Sequence, residues 1–277
     1  MPELPEVERG RRLAESVAAG RTIAAIECAS DPIVYARAPA AAWEALLGRR
    51  VLAACRWGKQ LWFELDAPPH PLFHFGMSGG FRVPGDSPLQ LASGPVHRPD
   101  EWPPRYWKVR LTFDDGGELV MTDARRLGRL LLRETPREEP PVSRLGFDPL
   151  LALPSPRDFA RLIAARSVVI KSLLLDQGFA AGVGNWIADE VLYQARIDPR
   201  RRARDLDERE AKRLRTVLRR VVEKAVSVDA ESSRYPAGWL FHRRWGRRAE
   251  ATTARGEAIE HLDIGGRTTA WVPAVQR

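Results

Sequence analysis

Residues 109–121 read VRLTFDDGGELVM, and this stretch carries the clearest signal for the fold of the first half of the chain. Polar and apolar side chains alternate on both sides of Asp114-Asp115-Gly116-Gly117, a pattern typical of two antiparallel strands joined by a tight turn. Strand-like segments also occur at 22–29, 50–65 and 72–75. Several short strands separated by turns predict a β-sandwich or a barrel.

Helical patterns flank this strand-rich region. Apolar residues recur at helical spacing over residues 4–19, and a long basic amphipathic helix is predicted at about 206–226. Between them, residues 134–156 contain six prolines and predict an interdomain linker, and Ser155 is a candidate helix cap. The fold class is therefore α+β: a β-sandwich domain with an N-terminal helix over 1–133, a helical domain over 157–230 and a β-ribbon over 235–277.

The composition favours a polyanionic partner. The 277 residues carry a formal net charge of +8 and a pI near 10.0, although coding bias can also produce an excess of arginine. Cys28 and Cys55 form no CxxC pair and are expected to be reduced core residues. With no apolar run of membrane-spanning length, we expect a soluble intracellular protein, in the cytoplasm or nucleoid of a bacterium or in a eukaryotic nucleus.

The chain opens Met1-Pro2-Glu3, which has two interpretations. Removal of Met1 would leave Pro2 with a free secondary amine, and an α-amino group titrates near pH ~8. Such an amine attacks an aldehyde-like carbon to form an imine, with Glu3 available to move protons. Alternatively, this is an ordinary N-terminus in which Pro5 occupies the first turn of a helix and acids favour its positive end.

Two further segments are candidates for phosphate binding and for chemistry on nucleic acid. The glycine-rich loop 178–185 precedes a helix, and the exposed amides at the start of a helix favour a phosphate. Asn185 either caps that helix or donates its amide to the phosphate. Lys171 is close enough in sequence to reach the same phosphate. A flexible helical hairpin explains the loop equally well. Met77, Arg125 and Leu127 suit the task of filling the gap left by an extruded base, with core packing as the alternative.

A set of motifs taken together identifies a family resemblance. Along its whole length, the chain resembles the formamidopyrimidine-DNA glycosylase and endonuclease VIII family of base-excision repair enzymes. The sequence of its C-terminal part is most similar to the plant and fungal branch and to some bacterial members. The motifs are MPELPEVE at 1–8, WGK at 57–59, HFGMSG at 74–79, DARRLG at 123–128, IKSLLLDQ at 170–177, AGVGNWIADEVLY at 181–193 and GGRTTAWVPAVQ at 265–276.

The resemblance implies a helix–two-turn–helix DNA-binding domain and a bifunctional DNA glycosylase and abasic-site lyase. Pro2 would attack C1′ of the damaged nucleoside with Glu3 as acid and base. The implied catalytic residues are Pro2, Glu3, Glu6, Lys59 and Arg267, where Lys59 and Arg267 would contact phosphates and assist elimination. The implied DNA-binding residues are His74, Met77, Arg125, Leu127, Arg166, Lys171 and Asn185.

Two features of the sequence depart from the family pattern. Leu127 stands where bacterial members often have phenylalanine, so the opposite-base preference is open. The four positions that would hold the thiolates of a zinc finger fall on Thr252, Arg255, Val272 and Val275, and a structural zinc site needs four nitrogen or sulfur ligands. We therefore expect no metal and no other cofactor, and a ribbon packed instead by Ile259, Leu262, Ile264, Trp271, Val272 and Val275.

The expected partner is double-stranded DNA that carries oxidised bases or abasic sites, bound by a monomer. A short segment at 227–238 favours formamidopyrimidines and hydantoins over 8-oxoguanine as substrates. Two alternatives stay open at the level of sequence: a non-catalytic DNA- or RNA-binding protein, and an abasic-site lyase with weak glycosylase activity. Strand nicking by β- or by β,δ-elimination is equally open.

Overall fold

The computed structural model describes residues 2–36, 38–86, 101–246 and 250–277, and it divides the chain into two compact units. The first unit is Met1–Arg144 and the second is Leu145–Arg277. The division falls within the proline-rich segment 134–156. Within the described residues, no helix is both long and apolar enough to cross a membrane.

Within its described residues, the first unit contains one α-helix, two short 3₁₀ helices (Ala40–Leu46 and Val142–Arg144) and two four-stranded antiparallel sheets. Helix α1 (Leu4–Ala18) precedes all the strands. One sheet has the order β1-β6-β7-β5 and the other β2-β3-β4-β8. The strands are β1 (Ile23–Cys28), β2 (Val51–Trp57), β3 (Gln60–Leu65), β4 (His70–His74), β5 (Gly80–Arg82), β6 (Trp107–Phe113), β7 (Glu118–Thr122) and β8 (Arg129–Arg133).

The predicted hairpin at 109–121 is the β6–β7 pair. Thr112 pairs with Glu118 across the turn, and Gly116 adopts a φ of 83°, a conformation that favours glycine. The alternating side chains of β6 turn one face toward the interior, as the sequence pattern predicts.

Both sheets contribute to one hydrophobic core, which confirms the predicted sandwich. Phe73 of β4 is fully buried, and its ring lies 5.2 Å from that of Phe63 in the same sheet and 5.0 Å from that of Phe81 in the other. Helix α1 joins this core through Val7, Ala14 and Ala18.

The two cysteines are free thiols, each packed against an apolar cluster of the first unit. Both are partly rather than fully buried. Burial raises the pKa of the Cys28 thiol and, with the nearby Glu64 carboxylate, raises that of Cys55 to about 11. Both thiols are therefore protonated at neutral pH.

The second unit is helical and ends in a two-stranded ribbon. Ser155 caps the first helix, as predicted, because its side chain accepts a hydrogen bond from the Asp158 amide at 3.2 Å. The elements are α2 (Pro156–Ala164), α3 (Ile170–Leu175), α4 (Asn185–Ala195), α5 (Glu208–Ser227), β9 (Glu260–Ile264) and β10 (Arg267–Trp271). Gly265 and Gly266 form the ribbon turn at φ values of 59° and 69°.

Phe73→Ala tests the shared core of the two sheets. We expect the substitution to lower the free energy of unfolding by about 3–5 kcal/mol, because it removes a buried ring and leaves a cavity. Urea unfolding followed by circular dichroism measures this loss. Leu52→Ala in β2, where Leu52 is 54% exposed, is the control and should change stability by no more than about 0.5 kcal/mol. Equal losses in the two variants would contradict the assigned core.

Candidate functional site

The N-terminal residues lie at the start of helix α1. Pro2 and Glu3 are buried, and Glu3 is the N-cap residue. The Glu3 amide donates to the Glu6 carboxylate at 2.8 Å, and the Glu3 carbonyl accepts from the Val7 amide at 3.0 Å. The alternative interpretation, a helix start with acids at its positive end, is therefore present in the structure. This helix start places two carboxyl groups, those of Glu3 and Glu6, near Pro2. Met1, whose removal would free the Pro2 nitrogen, lies outside the described residues.

The Glu6 carboxyl has an unusual proton affinity. Burial and, after it, the nearby charge of Glu3 raise its pKa to about 7, although the Glu3 amide stabilises the ionised form. Both protonation states are therefore populated near neutral pH. A group of this kind is suited to passing protons to and from a reacting centre.

A buried ion pair connects α1 to the turn that carries Lys59. Glu8 accepts from Arg56 Nε at 2.9 Å, and Arg56 Nη1 donates to the Gly58 carbonyl at 3.0 Å. The Arg56 side chain has no exposed area. Lys59 itself lies in the two-residue turn between β2 and β3, where Gly58 has a φ of 58°. Glu8 and Arg56 were not among the predicted site residues; the available signal was an acid on the apolar face of the predicted helix.

His74 lies beside Lys59. It is the strand partner of Gln60, the residue that follows Lys59, and its Nδ1 atom accepts from the Gly76 amide at 3.2 Å. Burial and the positive charges of Lys59 and Arg129 lower the His74 pKa to about 4. The imidazole is therefore neutral at pH 7. Its Nδ1 acts as an acceptor, which leaves the N–H on Nε2 as a donor.

The three predicted gap-filling residues are carried by two adjoining loops. Arg125 Nη1 lies 3.9 Å from the Met77 sulfur, and Leu127 is 46% exposed. Core packing, the alternative left open by the sequence, does not describe Arg125 or Leu127, since both side chains are exposed. The structure brings all three to one surface of the first unit.

The two loops fit together through their backbones. A Cβ atom on Gly76 would lie 2.5 Å from the Leu127 carbonyl carbon, so only glycine permits this approach. The buried Asp123 carboxylate holds the contact by accepting from the Ser78 hydroxyl at 3.0 Å and the Gly128 amide at 2.6 Å. Asp123 and Ser78 were not among the predicted site residues.

A second buried carboxylate, also missed, holds the exposed arginine between Arg125 and Leu127. Asp31 accepts two hydrogen bonds from Arg126 Nε and Nη2, at 3.1–3.2 Å, and one from Lys108 Nζ at 2.8 Å. Burial acts in the opposite direction, but these hydrogen bonds hold the pKa of Asp31 well below its usual range. Arg126 has a φ of 57°, so the loop is fixed in a conformation that a non-glycine residue seldom adopts.

In the second unit, the glycine-rich loop is organised by Gln177. Its amide nitrogen donates to the Val183 carbonyl at 2.8 Å, and its amide oxygen accepts from the Gly182 amide at 3.0 Å. Helix α4 then begins at Asn185 with Gly184 as its N-cap residue. The suggestion that Asn185 caps the helix is wrong, because Gly184 is the N-cap residue and no side-chain capping hydrogen bond forms. The Asn185 amide nitrogen donates to the Thr268 carbonyl of β10 at 2.8 Å.

Lys171 requires a correction. Its side chain has no exposed area and pairs with Asp189 of α4, so in this conformation it does not reach a phosphate at the surface. The sequence pattern around Lys171 contains no information about this distant partner. Arg166, at the end of α2, and Arg267, directly after the ribbon turn, are both exposed.

The residues at the four finger positions do not fit a zinc ion. Thr252, Arg255, Val272 and Val275 provide no set of nitrogen or sulfur ligands. Two of these positions, Val272 and Val275, belong to an apolar cluster instead, together with Leu240, Ile259, Ala270, Tyr193 and Ala251. Within the described ranges, no group of three or more His, Cys, Asp or Glu side chains is arranged to hold a metal.

Comparisons with known proteins agree along the whole chain. The formamidopyrimidine-DNA glycosylase N-terminal domain matches residues 1–130, and the formamidopyrimidine-DNA glycosylase H2TH domain matches residues 145–237. The formamidopyrimidine-DNA glycosylase of Arabidopsis thaliana is 42% identical over 278 residues, covering 100% of this chain and 71% of that protein. That of Thermus thermophilus is 35% identical over 288 residues, covering 100% and 98%.

A solved structure shares the fold. The Lactococcus lactis formamidopyrimidine-DNA glycosylase, bound non-covalently to DNA that contains an AP site, superposes with a TM-score of 0.79 at 25% sequence identity. The match covers 99% of each chain.

The pH dependence of stability tests the environment of His74. Its pKa is about 4 in the folded chain against an ordinary value of 6.5, so below pH 6.5 the unfolded chain takes up a proton that the folded chain does not. The free energy of unfolding should fall by up to about 3 kcal/mol between pH 6.5 and 4 from this group alone. The His74→Gln variant lacks this pH-dependent contribution to the free energy of unfolding. Urea unfolding should therefore show the stabilities of the wild-type protein and the variant converging toward pH 4. A difference that is constant with pH would contradict the assignment.

Proposed function

The chain belongs to the formamidopyrimidine-DNA glycosylase family, and we propose that it is a bifunctional enzyme that removes an oxidised base from DNA and then cleaves the strand. The observation that carries the proposal is the arrangement at the start of α1. Pro2 adjoins a carboxyl group, Glu3, whose amide is bound to a second carboxyl, Glu6, with a pKa of about 7. An amine nucleophile beside a group that titrates at neutral pH is what imine chemistry requires.

The proposed reaction begins at the Pro2 nitrogen after Met1 has been removed. Its lone pair forms a bond to C1′ while the bond from C1′ to the base breaks, and the base leaves with that electron pair and takes up a proton. The Pro2 nitrogen, positively charged after the attack, loses its own proton to water and regains a lone pair. Opening of the C1′–O4′ bond gives an iminium ion, with Glu3 protonating O4′. Loss of a proton from C2′ then expels the 3′ phosphate, which is β-elimination, and water releases Pro2 from the sugar.

Other residues would bind the DNA backbone. Lys59 is held beside α1 by the Glu8–Arg56 pair and is assigned to a phosphate next to the reacting sugar. Neutral His74 has one N–H to donate to a phosphate oxygen. The exposed side chains of Arg166 and Arg267, both in the second unit, are assigned to contacts with DNA phosphates. Lys171 is assigned a structural role instead, because it is buried.

The exposed surface formed by Met77, Arg125 and Leu127 would enter the duplex where the damaged base has been extruded. Apolar and arginine side chains are the types that fill such gaps. Leu127 cannot stack on a base as phenylalanine does. This difference concerns the preference for the opposite base, which stays open. The short segment at 227–238 leads us to propose formamidopyrimidines and hydantoins as better substrates than 8-oxoguanine.

Borohydride trapping tests the proposed chemistry. Duplexes that contain a formamidopyrimidine or an abasic site are incubated with the protein, and borohydride then reduces any imine to a stable covalent adduct visible by gel electrophoresis. We expect an adduct with both duplexes in the wild-type protein. Pro2→Gly retains an amine but should lose at least tenfold in the rate of strand cleavage, because the secondary amine is gone.

Three outcomes separate the candidate functions. No adduct with either duplex would overturn the enzymatic proposal and favour a DNA-binding protein. An adduct with abasic DNA alone would favour a lyase without useful glycosylase activity. Unchanged cleavage by Pro2→Gly would assign the attack to another amine. Arg9→Gln, on the same helix, keeps Pro2 and Glu3 and serves as a control for loss of positive charge near the N-terminus.

We also propose that the ribbon needs no metal, since apolar packing of Val272 and Val275 occupies two of the finger positions. Elemental analysis of the purified protein should find well under one zinc per chain. The unfolding midpoint should be unchanged by a chelator such as EDTA, because no ligand bond contributes to folding. One full equivalent of zinc, or a chelator-induced drop in the midpoint, would contradict this proposal.

A further inference from the structure

Asp189 lies at the centre of a buried ion cluster in the second unit. One carboxylate oxygen accepts from Lys171 Nζ, and the other accepts from Arg244 Nε at 3.0 Å and from the Ala270 amide at 3.1 Å. A single side chain of α4 therefore joins α3, the segment before the ribbon and strand β10. The sequence analysis assigned no role to Asp189 or Arg244.

The cluster depends on its carboxylate. The Asp189 and Lys171 side chains have no exposed area and that of Arg244 has 5%, so both cations are removed from water. Buried charges of this kind are tolerated only when they are paired and hydrogen-bonded. Removing Asp189 would deprive both buried cations of the carboxylate that they share, and we expect the Arg244 side chain to shift in response.

Helix α4 holds strand β10 at two points. Asn185 donates to the Thr268 carbonyl at 2.8 Å, and Asp189, one helical turn later, accepts from the Ala270 amide two residues further along the strand. A helical turn and two strand residues span similar distances, ~6 and ~7 Å, so the two contacts are matched in spacing. They fix the strand at its second and fourth residues.

The turn of the ribbon contacts helix α3. A Cβ atom on Gly265 would lie 3.1 Å from the Ser172 hydroxyl oxygen of α3, so the turn packs closely against that helix. Arg267 follows this turn directly and precedes Thr268. The base of the ribbon is tied as well, since His261 Nε2 lies 3.3 Å from the Arg244 carbonyl. The backbone of Arg267 is thus confined between contacts to α3 and to α4.

We infer that Asp189 is a positioning residue for Arg267: through its ion pairs and the Ala270 amide it sets the strand from which Arg267 reaches a DNA phosphate. The carboxylate cross-links the ribbon to the helical core, because it accepts from Lys171 of α3, from Arg244 and from the Ala270 amide of β10. The inference rests on the proposed contact between Arg267 and DNA.

The salt dependence of DNA binding separates positioning from simple loss of stability. The probe is a duplex that contains a tetrahydrofuran abasic analogue, which the full-length protein binds without cleaving. Its dissociation constant is measured from low to high salt. Arg267→Ala should reduce the slope of log affinity against log salt by about one, because one phosphate contact is lost.

Asp189→Ala should reproduce that reduction. In the double variant the slope should fall no further, and the affinity losses should not multiply, because both substitutions disable the same contact. Asp189→Asn keeps an oxygen for the Ala270 amide but loses the charge, and Arg244→Gln removes one cation. Both are milder substitutions expected to fold, and both should shift the slope in the same direction by a smaller amount.

Val222→Ala in α5 is the matched control for stability. Val222 is fully buried in the same unit, so its truncation lowers the unfolding midpoint, yet the salt slope should stay at the wild-type value. Wild-type slopes in all the Asp189 and Arg244 variants, or losses that multiply with Arg267→Ala, would overturn the inference while leaving the proposed function intact. An unchanged slope in Arg267→Ala would overturn both the inference and the proposed phosphate contact. Failure of borohydride trapping would bear on the proposed chemistry alone.

Discussion

The first turn of α1 is the constraint on which the first unit depends. A helix start needs acceptors for its unpaired amides, and here those acceptors are the carboxyl groups that the proposed chemistry uses. Glu6 accepts the Glu3 amide, which favours the ionised carboxylate, but burial and the nearby charge of Glu3 raise its pKa to about 7. Structural and chemical demands therefore act on the same atoms. The helix is in turn fixed to the sandwich by Val7, Ala14 and Ala18 and to the Lys59 turn by Glu8.

Buried carboxylates that pair with cations lie beside three of the segments with a proposed role in DNA binding. Glu8 and Arg56 support the Lys59 turn, Asp31 holds Arg126 between the two exposed residues of its loop, and Asp189 supports the ribbon. A buried pair contributes little net stability, because desolvation offsets the attraction. Its geometry is nevertheless demanding, since both charges need defined partners. Such pairs are suited to fixing the orientation of a loop or strand, and that is the role we assign to them here.

Features of the structure could be predicted from the sequence when the interacting residues lie close together along the chain. The β6–β7 hairpin and the Ser155 cap were predicted because alternation, turn residues and capping act within a few positions of the chain. The expectation for Lys171 was wrong because its partner, Asp189, is eighteen residues away and on another helix. The suggested helix cap at Asn185 was wrong as well, and its contact with Thr268, far along the chain, could not be predicted from the local sequence. The family resemblance pointed mainly to exposed side chains and to the groups that are proposed to react. The buried carboxylates that hold these segments in place could be identified only from the structure.

The ribbon and the cysteines together have a consequence for the conditions in which this protein operates. Oxidants that damage DNA bases also attack thiolates, and a finger built on four cysteine ligands offers them a target. Here the corresponding positions hold Thr252, Arg255, Val272 and Val275, and the two thiols of the chain are kept protonated by burial. Carboxylates, guanidinium groups and aliphatic side chains are inert to the same oxidants. The four positions at which a zinc finger carries thiolates are thus occupied here by side chains that these oxidants do not readily attack.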